Sequence, residues 1–157
     1  MTTKATINLL VLTLMAGMQT GYTENDDFYV KTFYIGDPLG LYQIMAPAAA
    51  IIPAEPKSRI SQYIGEDTIT ETYVVRFYQP AYRTADDEAE TSAGLTRLMA
   101  MLDKAEALLR ADPTFGSQFV NSEIRNVIPS VPTAGDGNAY RIAGLSIEIK
   151  RRALWGA

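Results

Sequence analysis

Acid–base or metal chemistry in this chain would fall mainly to its carboxylates, because the usual agents are missing. The chain has no cysteine and no histidine. There is therefore no thiolate nucleophile, no disulfide and no cysteine-based zinc site, and the commonest general base at neutral pH is absent. An enzyme built from this chain would run on carboxylates, Lys, Tyr, Ser or Thr. Four carboxylate groupings come into question. Asp86, Asp87 and Glu88 with Glu90 crowd the start of a helical segment. Neighbours on one helix turn do not converge on a cation without oxygens from another element, and the helix dipole favours anions there in any case. Glu66-Asp67 precede a strand and read as turn chemistry. Asp112-Pro113 reads as a helix stop, with no base or metal partner in view. Gly135-Asp136-Gly137 superficially has the glycines of a phosphate loop. Asn138-Ala139-Tyr140 follow where a P-loop needs Lys and Ser or Thr, and the further oxygen ligands of an EF-hand are lacking. No catalytic, cofactor-binding or metal-binding residue is assigned.

Composition narrows the class further. One domain spanning residues 1–157 is expected, because a chain of this size buries roughly 68–70% of its unfolded surface and sustains one core. The formal charge of −4 and pI of about 4.8 make nucleic acid a poor primary ligand. The basic run Lys150-Arg151-Arg152 suits a local salt bridge or an interface. Ala5 to Met18, after Lys4, is apolar enough to mimic a secretory leader. Yet Ile7, Leu10, Leu14 and Met18 share one helical stripe, and the run is shorter than the ~18 residues of a membrane span. A buried helix is the expectation, with no membrane partner.

The elements that would position these groups follow from periodicity and punctuation. The first helix should stop near Gly17–Gly21. Tyr22 to Asp27 reads as a loop, Phe28 to Ile35 as a strand, and Gly36 to Gly40 as a turn. Ala48 to Ile52, fenced by Pro47 and Pro53, reads as a short strand buried on both faces or set at a sheet edge. Ala54 to Gly65 reads as an exposed crossing segment. Thr68 to Tyr78 is a strand with Ile69, Tyr73, Val75 and Phe77 on one face. Asp86 to Arg110 is the longest helix, with Leu95, Leu98, Leu102, Ala105 and Leu109 on its apolar side. After the turn Asp112-Pro113-Thr114-Phe115-Gly116, the residues Phe119, Val120, Ile124, Val127 and Ile128 fit a short helix. Ser130 to Asn138 reads as a loop. Tyr140 to Arg152 is a final strand whose apolar phase slips at Ala143-Gly144, the mark of a β-bulge.

This order of elements resembles the closing block of bacteriophage tail terminator (tail completion) proteins, small α/β subunits that form a ring on the tail tube. The residues that carry the likeness are Asp112 to Gly116 with Tyr140, Ile142, Gly144, Ile147 and Ile149. The resemblance implies an α+β fold, with a mixed, mostly antiparallel sheet flanked by an N-terminal helix and a long central helix. It implies a closed homo-oligomeric ring, usually a hexamer, that stops tube growth and contacts the tail tube protein and the head–tail connector or stopper protein. Genomic DNA would only pass through the channel, and the acidic balance suits that passage because phosphates are repelled. The place of such a protein is the head–tail junction of the virion, after assembly in the host cytoplasm. No cofactor is implied. Ring closure demands heterologous contacts, one patch against a different patch, and loops are the expected contact makers. The candidates are Tyr22, Asp26 and Asp27, then Asp37 and Leu39, then Val131, Asp136 and Asn138. The nearest alternative is a head–tail connector or stopper. Others are a secreted or periplasmic ligand-binding domain with residues 1–20 as leader, and a small carboxylate-based hydrolase.

Overall fold

Two helices lie on one face of a six-stranded, mostly antiparallel sheet, the α+β arrangement expected from the sequence. The computed structural model describes residues 2–38, 44–54, 57–80, 87–135 and 138–154. Leu39, Asp86 and Asp136 lie outside the described residues. In chain order the elements are α1 (Thr3–Met18), β1 (Thr32–Ile35), β2 (Ala48–Pro53), β3 (Ser58–Tyr63), β4 (Glu66–Pro80), α2 (Asp87–Ala111), β5 (Asn121–Gly135) and β6 (Asn138–Leu154). The sheet order is β1-β2-β4-β6-β5, with β3 beside the first half of β4. Among the described residues, only β1 and β2 pair in parallel.

The first helix is a core element. Thr2 caps it, its hydroxyl accepting the Ala5 amide, and Leu10, Leu14 and Met18 are fully buried. Burying each such side chain stabilises by roughly 1.5–3 kcal/mol. Gly17 faces Leu108 of α2 so closely that a Cβ there would run into the leucine methyls. The missing side chain is what lets Leu108 pack against the α1 backbone. Their apolar faces cover Tyr73, Val75 and Phe77 of β4 and Leu145, Ile147 and Ile149 of β6.

The expectation for Ala48 to Ile52 resolves in favour of a strand buried on both faces. Ala49 and Ile51 join the helix-covered core, while Ala48 and Ala50 join a smaller cluster on the outer face with Ile44, Tyr78 and Tyr140. Other expectations are corrected. The strand expected from Phe28 is formed only by Thr32–Ile35. The segment expected to cross exposed contains β3, which makes a hairpin with β4 through Ile64 and Gly65; Gly65 supplies the positive φ of that turn. The short helix expected before Ile128 is the start of β5, and the loop expected from Ser130 is largely its continuation.

The β5 correction has a physical cause. Its pairing with β6 shifts between Ile124 and Asn126 and again between Ile128 and Val131. Each shift inserts residues and breaks the two-residue alternation. Ile124 faces Ile147 and Val127 faces Leu145, so two residues three apart share one face, which imitates a helical step. Pro129 falls inside the second shift, and Pro132 is tolerated because β5 is an edge strand with β6 as its paired neighbour. The phase slip at Ala143-Gly144 is not a bulge. The β4–β6 register runs unbroken from Glu66↔Leu154 to Pro80↔Tyr140. The apolar residues change phase because the outer cluster claims Tyr140 and Ile142, whereas the inner core claims Leu145, Ile147 and Ile149.

Candidate functional site

The densest charged cluster stands at the end of the sheet where β4 begins and β6 finishes. Glu71 of β4 and Arg151 of β6 lie on the core face, in phase with Tyr73 and Ile149, and each side chain is 3% exposed. The guanidinium donates Nε and Nη2 to the two carboxylate oxygens at 3.1 Å each, the bidentate geometry that makes such pairs strong. The Tyr73 hydroxyl donates to the same carboxylate at 2.9 Å and Thr3 of α1 at 2.8 Å. Lys57 stands 3.2 Å from it and also bonds the Thr3 hydroxyl. Four residues earlier on β4, Asp67 receives a hydrogen bond from Ser61 and an ion pair from Arg59 at 3.4 Å.

The electrostatics of this cluster oppose proton transfer near neutral pH. Burial alone would raise the Glu71 carboxyl, but hydrogen bonds from Arg151, Thr3 and Tyr73, with the charge of Arg151, outweigh it and hold the group at about 2. Burial drives the Tyr73 phenol far up, and its bond to Glu71 adds to the rise. A carboxylate that stays ionised beside a phenol that stays protonated has no neutral-pH general base or acid to offer. What the cluster does is anchor α1: its first turn is tied through Thr3 to two strands. Among the described residues, no group of three metal-capable side chains converges.

The second built feature is the turn after α2. The Asp112 carboxylate accepts the amides of Thr114 and Gly116 and the Thr114 hydroxyl, and these bonds, the Gly116 amide foremost, lower its pKa. The wound carboxylate drives Phe115 inward, where it meets Phe119 at 5.0 Å between ring centroids. Phe115, Gly116 and Ser117 all take positive φ. An open groove of about 500 Å³ lies beside this turn, between Ser117, Gln118, Val120 and Arg152. A smaller one of about 180 Å³ runs between the end of α2 and β5, against Arg110, Pro113 and Glu123.

The contact residues expected from sequence are scattered. Tyr22 packs edge-on against Phe28 at 4.8 Å, with the Lys104 ammonium over both rings. The Asp26 carboxylate accepts the Thr23 amide, and Asp27 is exposed. Asp37 pairs with Arg76 at 3.6 Å on another part of the molecule. Val131 and Asn138 belong to the backbone of β5 and β6, which places them in a hairpin and not in the free loop expected. The structure does not bring these groups to one place. Sequence reasoning passed over the Glu71–Arg151 pair, although its signal was present: each charge falls in the apolar phase of its strand, and the two signs are opposite. No protein-family model matches the chain, and no curated protein matches it.

Proposed function

We propose that this chain is a structural virion protein of the tail-terminator kind, a subunit that assembles into a ring on the tail tube and meets the head-side connector. Its work is docking to copies of itself and to neighbouring virion proteins, with no bond-making step. The observation that carries the reading is the Asp112–Gly116 turn, the stretch on which the likeness rests most. It is a built joint, with its carboxylate wound by three hydrogen bonds, set between a long helix and a closing hairpin in an α+β fold. A burial-protected ion pair that stays charged at all ordinary pH values suits a rigid subunit better than an acid–base site. None of the described helices is long and apolar enough to cross a membrane.

Electron microscopy of particles assembled without the protein tests this. Tails of uncontrolled length are expected. Tails of normal length on leaking heads would replace the reading with that of a stopper, and unaltered particles would remove the protein from the virion altogether.

A further inference from the structure

Strand β3 alternates the wrong way round for a core strand. A strand that helps to build a core turns its apolar side chains inward. In β3 the inward row is polar. Arg59 stands opposite Ile69 and Ser61 opposite Asp67, on the face that β4 buries, and Lys57, just before the strand, reaches Glu71 on that same face. The apolar residue points the other way: Ile60 stands opposite Thr68 and is 55% exposed. Lys57 to Ser61 are all exposed, and none of them joins either apolar cluster.

Apolar burial therefore does not hold this strand. Among the described residues its one neighbour is β4, and the pairing shifts between Ser61 and Tyr63. The inward row is tied by polar contacts, Lys57 to Glu71 and Arg59 and Ser61 to Asp67. The lysine and arginine side chains are 50% and 66% exposed, and pairs so open to water are weak. Strand β4 does not share this weakness: Asp67, Ile69 and Glu71 are buried, and β6 pairs it from Glu66 onward. A segment with few buried apolar contacts beside a well-held core belongs to the low-stability end of a structure.

One polar triangle joins the strand to the first helix. The Thr3 hydroxyl donates to the Glu71 carboxylate at 2.8 Å and accepts from the Lys57 ammonium. That ammonium is itself 3.2 Å from the carboxylate. Thr3 is the first residue of α1, and Lys57 is the residue before β3. Loss of either side chain leaves the other with one partner fewer. Opening of β3 and fraying of the first turn of α1 thus favour each other, as coupled equilibria must.

We propose that β3 is a strap, latched to the first turn of α1 by Lys57, Thr3 and Glu71, that opens and closes as a unit while the rest of the sheet stays folded. Closed, it covers the edge of β4 from Glu66 to Thr70. Any contact that holds the strap closed also tightens the start of α1. This inference stands apart from the ring reading, because it rests on contacts within one chain.

Trypsin tests it, since the Arg59–Ile60 bond lies inside the strap and is cut only when the strap opens. Digestion of the folded wild type, followed by mass spectrometry, is expected to give early cleavage after Arg59, at a rate nearly independent of urea below the unfolding transition. Lys57→Met and Thr3→Val should each speed that cut by about three- to tenfold. Each should also raise amide exchange at Thr6 and Ile7 of α1 by a similar factor, with Val75 and Leu145 in the core unchanged. Thr3→Ser keeps the hydroxyl and should restore the wild-type rates. Cleavage after Arg59 no faster than amide exchange at Val75 and Leu145 would overturn the strap. A cut no faster in Thr3→Val than in the wild type would overturn the latch.

Discussion

Replacing Arg151 with Met should cost far more than its methylene-for-methylene similarity implies. The guanidinium is the main counter-charge of Glu71, and both side chains are 3% exposed. Holding the Glu71 carboxyl at about 2 against an ordinary 4.5 corresponds to about 3 kcal/mol of preference for the ionised form. Removing one partner of a buried pair strands the other, at about 3–5 kcal/mol. Thr3, Tyr73 and Lys57 still reach the carboxylate, so the lower end of that range, about 3 kcal/mol, is expected for Arg151→Met at neutral pH. Urea denaturation followed by far-ultraviolet circular dichroism measures it. The pH dependence sharpens the test. In the wild type the folded pKa is depressed, so its contribution is present above about 4.5 and lost as pH falls toward about 2. In the variant the largest source of the depression is gone, so less stability is lost on protonation and the gap between the two proteins should narrow on acidification. The double variant Glu71→Leu/Arg151→Met should regain at least half of the loss, because no charge is left buried. A single variant that loses under about 1 kcal/mol, by the same amount at neutral and at acid pH, would refute the reasoning.

Denaturation of four further pairs or single variants probes the rest of the fold. Leu14→Ala, at a fully buried site, should lose about 2–5 kcal/mol, while Leu12→Ala, 63% exposed on the same helix, should stay within about 0.5 kcal/mol of wild type. Tyr73→Phe removes a hydrogen bond to a charged group and should lose about 1.5–3 kcal/mol. Tyr78→Phe removes a buried hydroxyl that meets no hydrogen-bond partner within 3.5 Å among the described residues, and should be neutral or slightly stabilising. Ser117→Gly relieves a positive φ of 68° and should raise stability by about 1 kcal/mol; a loss on this change would mean that the serine side chain holds the turn.

The parts of the fold that were legible in the sequence are those where one face alone is buried. The stripe Ile7, Leu10, Leu14 and Met18 and the alternation Ile69, Tyr73, Val75 and Phe77 each point at a single core, so period and burial agree. Legibility failed where that condition failed. In β5 the inserted residues turn an alternating strand into a three-residue step, and no one-dimensional pattern separates such a strand from a helix. In β6 the sheet is covered on opposite faces at its two ends, so a change of covering looked like a bulge. Sequence placed Arg151 between Lys150 and Arg152 as part of a basic run. The strand divides that run: Arg151 points into the core, while its neighbours remain exposed. The partner, Glu71, is 80 residues away, and only the pairing of β4 with β6 brings the two together.

That division of the basic run bears on how the subunit presents itself. The uncovered outer face is largely self-satisfied. Arg125 bridges Glu123 and Glu148 at 3.3 and 2.9 Å, Arg152 reaches Glu66 at 3.2 Å and Arg76 reaches Asp37 at 3.6 Å. Pairs of this kind in water contribute about 0–1 kcal/mol each, yet they leave the face little charge to offer a partner. The long edge β5 is likewise guarded, by two register shifts and by Pro129 and Pro132, which interrupt any ladder a neighbouring strand would form. With face and edge blunted, the apolar surface left open at the turn of the β3–β4 hairpin is that of Ile60, Ile64 and Leu154, and a partner that covers it would gain more from burial than from charge.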